Sequence, residues 1–297
     1  MQIRTDLALE AKELDIENSE GLEFETSFKD GLNISKLKII SDTASYRLDK
    51  SKGTYITIEM PPLSENFTET DERILTISDE IEALLPKKGL VLVAGIGNVN
   101  ITADALGPKT VDTILATRHI AGEVAKQIGL EDLRSVAVIA PGVLGQTGIE
   151  TGELIQSIVK KIKPSAIIVI DALASRRLSR LGCTLQISDT GIAPGAGVGN
   201  HRLPINEETM GVPVIGLGIP MVVDAITLAA DLLEPNNEDI AENIKKELTP
   251  AGKHMVVTPK EIDLLIQRSS RLLAMAINCA LQPSMSQSDL LSLTCYS

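Results

Sequence analysis

The sequence predicts an α/β protein: a mostly parallel central sheet with helices on both faces, preceded by an N-terminal α+β extension. Three observations carry this. From residue 89 onward, short apolar runs of strand length alternate with segments of helical spacing, the order that builds a parallel sheet with crossover helices. Hydrophobic residues make up 43% of the chain but aromatics only 2%, with no Trp. The core is therefore aliphatic, which suits interleaved strands and helices better than an aromatic-rich sandwich. Finally, 297 residues are enough for one large α/β domain with a substantial interior.

Residues 1–88 are the less regular part, rich in acidic and turn residues. Leu37–Ile40 and Thr54–Met60 read as strands, the second alternating Tyr55, Thr57 and Glu59 against Ile56, Ile58 and Met60 before Pro61-Pro62 ends it. Thr70–Leu85 has helical spacing at Ile74, Ile77, Ile81, Leu84 and Leu85, and Pro86 stops it. Gly89–Gly97 is a continuous apolar run closing in glycines, the mark of a strand buried on both faces. A helix is expected around Pro108–Val124, a strand at Val136–Ala140, a helix over Gly152–Ile162 and a strand at Ala166–Ile170. Thr184–Ser188 and Val212–Leu217 are further strands, and Val222–Leu233 and Pro259–Leu281 read as helices. No internal repeat or low-complexity linker divides the chain.

The net charge of −12 keeps such a chain soluble and repels phosphate backbones, which argues against direct nucleic-acid binding and for basic partners. Cys183, Cys279 and Cys295 are too few and too scattered for a disulfide framework or a zinc site. Met1–Leu14 carries Asp6, Glu10, Lys12 and Glu13 and is not expected to act as a signal peptide. No apolar run approaches the roughly 20 residues of a membrane span. A cytoplasmic location is expected.

Ligands of open α/β sheets bind beyond the carboxyl ends of the strands. Here these ends follow Gly97, Ala140, Ile170 and Ser188. The first opens Gly95-Ile96-Gly97-Asn98, then Thr102-Ala103-Asp104-Ala105-Leu106-Gly107-Pro108. Glycines there let backbone N–H groups approach a ligand. Asp104 stands just before a helix, where it reads as an N-cap or as a reactive carboxylate. A dinucleotide fingerprint is broken, because Asn100 replaces its third glycine. The second end is Asp171, directly after an apolar strand and before Ala172-Leu173-Ala174-Ser175-Arg176-Arg177. It reads as a partly desolvated carboxylate or as a partner of Arg176 or Arg177. Two carboxylates at adjacent strand ends would share a proton, one activating water while the other protonates a leaving nitrogen, which suits amide hydrolysis.

The third constellation, Ser188-Asp189-Thr190-Gly191, carries the Asp-Thr-Gly triplet of all-β aspartic proteases, followed by Pro194, Gly195, Gly197, Gly199 and Asn200. In an α/β chain that triplet is not expected to be catalytic, although its loop can shape a cleft or form an anion nest. There is no G-x-S-x-G elbow and no H-E-x-x-H pair, so serine and zinc-protease chemistry lack their usual frames. His119, His201 and His254 have no ligand spacing. Nothing near Cys183 supplies the base a thiol mechanism needs.

Arg4-Thr5-Asp6-Leu7-Ala8-Leu9-Glu10-Ala11, the Gly95–Pro108 segment, Ile170–Arg176, and Gln186–Ile192 through Gly197–Asn200 together resemble the spore germination protease family, in the same order and over most of the chain. The resemblance implies an atypical aspartic endopeptidase that degrades small acid-soluble spore proteins in the spore core during germination. Its catalytic aspartates map to Asp104 and Asp171, with Asn98, Asp189, Arg176 and Arg177 as candidates lining the substrate cleft. It also implies a homotetramer and a fold similar to hydrogenase maturation endopeptidases, which likewise begin their sites with Gly-Ile-Gly-Asn and bind a metal. A metal-dependent maturation peptidase is thus the alternative activity, and an acidic chaperone for basic spore proteins is a non-catalytic one. No cofactor or resident metal is expected for the two-aspartate enzyme. Family members are made as zymogens. Asp6-Leu7-Ala8-Leu9-Glu10 is similar to the family's cleavage sites, which makes residues 1–6 a candidate propeptide, cut between Asp6 and Leu7, and 7–297 a single peptidase domain. Such a cut needs an extended, mobile segment, as chain termini usually are.

Overall fold

The computed structural model describes residues 4–15, 19–63, 71–120, 132–193, 203–232 and 255–294. Within them the elements run α1 (Ala8–Leu14), β1 (Leu22–Lys29), β2 (Leu32–Ile39), α2 (Asp42–Leu48), β3 (Gly53–Glu59), α3 (Glu72–Leu84), β4 (Val91–Gly95) and α4 (Leu106–Val111). There follow β5 (Val136–Ile139), α5 (Leu144–Thr147), α6 (Thr151–Ile162), β6 (Ala166–Ser175), β7 (Thr184–Ser188) and α7 (Glu207–Met210). The last are β8 (Val214–Asp224), α8 (Ala225–Leu232), β9 (Val256–Val257), α9 (Ile262–Leu281) and α10 (Gln287–Thr294).

All strands join one sheet in the order β1-β2-β3-β7-β8-β6-β4-β5, with β9 beside β8. The segment β8-β6-β4-β5 is parallel. The N-terminal extension adds an antiparallel wing, β1-β2-β3, fastened to the core through antiparallel β7. Asp30 and Gly31, at φ 51° and 77°, make the tight two-residue hairpin that Asp-Gly favours. Asp71 starts α3 as its N-cap, its side chain accepting the Arg73 N–H at 2.9 Å.

The core strands are apolar on both faces because both are covered. Val91, Val93, Ile168, Ile170 and Leu217 face Ile74, Ile77 and Ile81 of α3 and Leu272 and Leu273 of α9. Leu92, Ala94, Ile167 and Val169 face Ile155 and Val159 of α6. Under the wing, Ala8 of α1 and Ala44 and Leu48 of α2 pack on Leu37, Ile39 and Tyr55. Each fully buried Ile or Leu here contributes roughly 1.5–3 kcal/mol.

Two expected boundaries move. Val222–Asp224 continues strand β8 instead of opening a helix, and the helix begins at Ala225. An apolar run without turn residues fits either element; here pairing of Val223 with Ser175 and with Val257 decides it. The expected helix over Pro108–Val124 is helical only as Leu106–Val111 within the described residues, and residues 121–124 lie outside them. Among the described residues no helix is long and apolar enough to cross a membrane.

Candidate active site

Strands β4 and β6 lie side by side in parallel, with Gly95 opposite Ile170. The ladder runs one step further, the Ile96 N–H donating to the Ile170 carbonyl at 2.9 Å. Just past this point β6 presents Asp171, while β4 turns through Gly97 and Asn98 into the short 3-10 helix Thr102–Asp104. That 3-10 helix touches both β6 and β8. Both expected aspartates therefore stand at the carboxyl edge of neighbouring parallel strands, where ligands of such sheets bind.

Two glycines make the approach possible. Gly97 has φ +121°, and a Cβ there would lie 2.1 Å from the Asp104 carbonyl oxygen. Gly107, at the start of α4, sits so close to both strand ends that a Cβ would meet the Ile96 and Ile170 carbonyl oxygens at 2.3 and 2.5 Å. A side chain at Gly107 would push α4, and Asp104 with it, away from β6.

The Asp104 carboxylate turns back to its own loop. Its Oδ2 accepts the Asn98 N–H at 2.7 Å, and α4 has no side-chain cap. The N-cap reading of Asp104 is thus replaced by a loop-closing carboxylate held over the end of β4. Asn98 Oδ1 in turn accepts the Asn100 N–H at 3.0 Å and the Gln146 Nε2 at 2.8 Å. Asp171 is half-buried, and its Oδ1 accepts the Ala172 N–H at 2.9 Å. The arrangement offers two carboxylates at one sheet edge, the donor set that proton transfer to and from an amide requires.

The other expected cleft residues are placed elsewhere. Strand β7 runs antiparallel to β8, so its carboxyl end points away from the edge carrying Asp171. Asp189 there is a clasp on the wing: its Oδ1 accepts the Thr54 N–H at 2.7 Å and its own N–H donates to the Thr54 carbonyl at 3.2 Å. Arg176 and Arg177 are engaged by carboxylates of this chain. Arg176 Nε donates to Asp231 at 2.6 Å, and Arg177 pairs with Glu13 at 3.6 Å. They extend beyond the strand-end cleft because β6 continues past Asp171 to Ser175.

Asp6 and Leu7 are not a loose terminus. Leu7 is fully buried. The Asp6 N–H donates to Ala174 and its Oδ2 accepts the Ala174 N–H at 2.7 Å. Burial pushes the Asp6 carboxyl above its usual range, against the lowering effects of the Ala174 N–H and of Lys50. The expected mobility of this segment is corrected for that reason: it is docked against Ala174 of β6 by one backbone and one side-chain hydrogen bond. Residues 1–3, and the glycine-rich segment 194–202 with His201, lie outside the described residues.

Gln146 was missed by sequence reasoning. It lies on the short helix α5 that follows β5, and a search of the segment after that strand for amide side chains would have found it. Glu10 was also missed, because a carboxylate on a short acidic helix looks like a solvated face. It is fully buried and accepts the Arg176 and Arg177 N–H groups at 2.6 and 3.1 Å. Burial raises the Cys183 thiol, which disfavours the thiolate that a cysteine mechanism needs. Among the described residues no group of three or more His, Cys, Asp or Glu side chains is placed to hold a metal ion, so the donors of a resident metal site are not found there.

The fold is an α/β one with a parallel core and an antiparallel wing, and the family model for germination proteases matches residues 2–235, which makes the protein a peptidase. The chain belongs to the germination protease family. It is 43% identical over 314 residues to the germination protease of Caldanaerobacter subterraneus subsp. tengcongensis, covering 97% of each chain. It is 39% identical over 320 residues to that of Clostridium acetobutylicum, covering 97% of this chain and 98% of the relative. With that of Geobacillus sp. (strain WCH70) it shares 35% over 357 residues, covering 97% and 95%. Among solved structures it resembles a NiFe hydrogenase maturation protease, HycI, from Thermococcus kodakarensis KOD1, at TM-score 0.37 and 17% identity, covering 67% of this chain and 98% of that one.

Proposed function

We propose that this peptidase is an aspartic-type endopeptidase that starts the degradation of small acid-soluble spore proteins in the spore core during germination. It cuts after an acidic residue, with Asp104 and Asp171 sharing the acid–base work. One carboxylate takes a proton from the attacking water. The other, protonated, delivers its proton to the leaving amide nitrogen, and the pair exchanges roles as the product leaves. The acidic chain, of net charge −12, draws basic substrates by long-range attraction. In this reading the enzyme is a homotetramer made as a zymogen, and Asp6–Leu7 is the bond cut on activation.

The observation that supports the mechanism is the parallel pairing of β4 with β6, extended by the Ile96–Ile170 bond, which brings both aspartate-bearing ends to one edge. The test is cleavage of a purified spore-protein substrate by Asp104→Asn and Asp171→Asn variants, with folding checked by circular dichroism. Each variant is expected to lose about 10²–10⁴ in rate, and EDTA is expected to leave the wild-type rate unchanged. Near-wild-type activity in either folded variant removes that aspartate from the mechanism. Activity lost to EDTA and restored by a divalent metal removes the metal-free mechanism.

A further inference from the structure

We propose that Gln146 is a positioning residue for Asp104: through Asn98 it ties the loop bearing that carboxylate to the segment that follows the neighbouring strand β5. The proposal rests on the acid–base role given to Asp104 above and adds to it a residue that acts through another.

Residues 98–104 close on themselves. The Asn98 carbonyl accepts the Ile101 N–H at 3.0 Å, the Ile101 carbonyl accepts the Asp104 N–H at 2.8 Å, and the Asp104 Oδ2 accepts the Asn98 N–H at 2.7 Å. These bonds fix the carboxylate relative to Asn98 and leave the far side of the loop to be held from outside. Its large apolar side chains do not anchor it there, since Val99 and Ile101 are 51% and 55% exposed. The Asn98 side chain reaches outward instead, its Oδ1 accepting the Gln146 Nε2 at 2.8 Å. Gln146 stands on the single turn α5, which Gly148 closes by donating its N–H to the Leu144 carbonyl at 2.8 Å. That turn is joined to α6, where the Thr151 Oγ1 donates to the Gly142 carbonyl at 3.1 Å. Helix α6 is seated on the core through Ile155 and Val159. A continuous path thus runs from Asp104 to a buried helix face.

The polarity of the link is dictated by its neighbours. The Asn100 N–H, 3.0 Å from the Asn98 side chain, can only donate, so the atom it meets is the amide oxygen. The atom of residue 146 that faces this oxygen must therefore be a donor. Glutamine supplies one. An ionised glutamate of the same shape would set oxygen against oxygen. The bond is exposed, so it contributes little to overall stability. Its weight falls on the direction of the Asp104 carboxylate, and a displacement of about 1 Å at a reacting group costs up to about 10²-fold in rate.

Steady-state kinetics on a purified spore-protein substrate test this. Gln146→Ala and Gln146→Glu are each expected to lower kcat about 3- to 30-fold with KM unchanged. Gln146→Lys, which keeps a donor at that reach, is expected to regain most of the loss. Asn98→Ala keeps its backbone N–H and loses the link, so it should match Gln146→Ala, and the double variant should fall no further than the slower single one. Amide exchange at Asn98 reports the link without any substrate. It is expected to quicken in Gln146→Ala while the urea midpoint of unfolding stays in place. Wild-type kcat in Gln146→Ala beside an inactive Asp104→Asn overturns this proposal alone; an active Asp104→Asn overturns it together with the acid–base role. A raised KM at unchanged kcat would make Gln146 a substrate contact, and a fully active Gln146→Glu would show that no donor is needed. Either result overturns the proposal, as does unaltered exchange at Asn98.

Discussion

Asp6 and Ala174 bond one another twice: the Asp6 N–H donates to the Ala174 carbonyl at 2.9 Å, and the Asp6 Oδ2 accepts the Ala174 N–H at 2.7 Å. Ala174 lies three residues beyond Asp171 on the same strand. The N-terminal segment is therefore fastened to the strand that carries one of the candidate catalytic groups. Gln186 brackets the next bond, its Nε2 donating to the Asp6 carbonyl at 3.0 Å and its Oε1 accepting the Ala8 N–H at 2.7 Å. A peptide bond so held cannot enter any active site until the segment undocks.

Gln186→Ala removes both clasps and leaves the Asp6 carbonyl and Ala8 N–H without their partner. At about 1–3 kcal/mol for a buried polar group left unpaired, the segment should open about 5- to 150-fold more often. Exposure to an added protease specific for acidic residues, with the amino terminus read by mass spectrometry, is expected to show cutting after Asp6 faster by that factor. An unchanged rate would mean that Gln186 does not hold the segment.

The docking should depend on pH through Asp6. Its carboxyl is raised above 3.8 mainly by burial, so the folded state prefers the protonated form. The sign follows: this group's favourable contribution is fully present below 3.8 and is lost as pH rises through the folded value. Acid therefore tightens the segment through Asp6. Hydrogen exchange at the Ala8 amide is expected to slow on acidification from neutral pH more in wild type than in Asp6→Asn. Equal pH dependence in the two proteins contradicts the assignment.

Arg180 is buried among three carboxylates: Glu13 at 2.6 Å, Glu59 at 2.7 Å and fully buried Glu10 at 3.3 Å. These come from α1 and from β3, so one guanidinium ties helix, wing and core together. Arg180→Ala leaves Glu10 buried without its counter-charge and is expected to cost about 3–5 kcal/mol. Urea unfolding with an unchanged slope and a lower midpoint checks this; a loss below about 1 kcal/mol would class the cluster with weak surface pairs.

If Asp104 and Asp171 act as a unit, removing the second after the first should cost little. The double variant Asp104→Asn/Asp171→Asn is expected to fall within about tenfold of the slower single variant, because shared proton traffic stops with either loss. Rates that multiply instead would assign the two residues to separate steps.

The parallel core was legible because strands buried on both faces write themselves as unbroken apolar runs: Val91–Gly95 and Ala166–Ile170 read as strands directly, and Asp171, the first polar residue after the second run, was visible for the same reason, although the strand itself continues to Ser175. The wing was harder. Leu22–Lys29 is exposed along almost all of its length, so no face selected its apolar residues and its pattern carried no burial signal. The roles of Asp189, Arg176 and Glu10 were hidden for another cause. Each binds groups more than a hundred residues away or on another element, Asp189 on Thr54, Glu10 on Arg176 and Arg177, and spacing along a chain does not report such partners. Strand β8 runs past the expected Leu217 and through Pro220, which lies where the β6–β8 register shifts, between Leu173 and Ala174; an irregularity of that kind tolerates proline.

The seam between β3 and β7 has a bearing on how the molecule is made. Tyr55 finds its neighbour at Ser188, and Glu59 at Thr184. During synthesis β3 is made without its β7 neighbour, because the strand that closes that side is translated more than a hundred residues later. Pairings so distant are slow to form, and an unclosed strand is a hazard while it waits. The amino terminus, emerging first, is thus among the last parts to be fixed, and its seat beside Ala174 exists only once the core has been assembled.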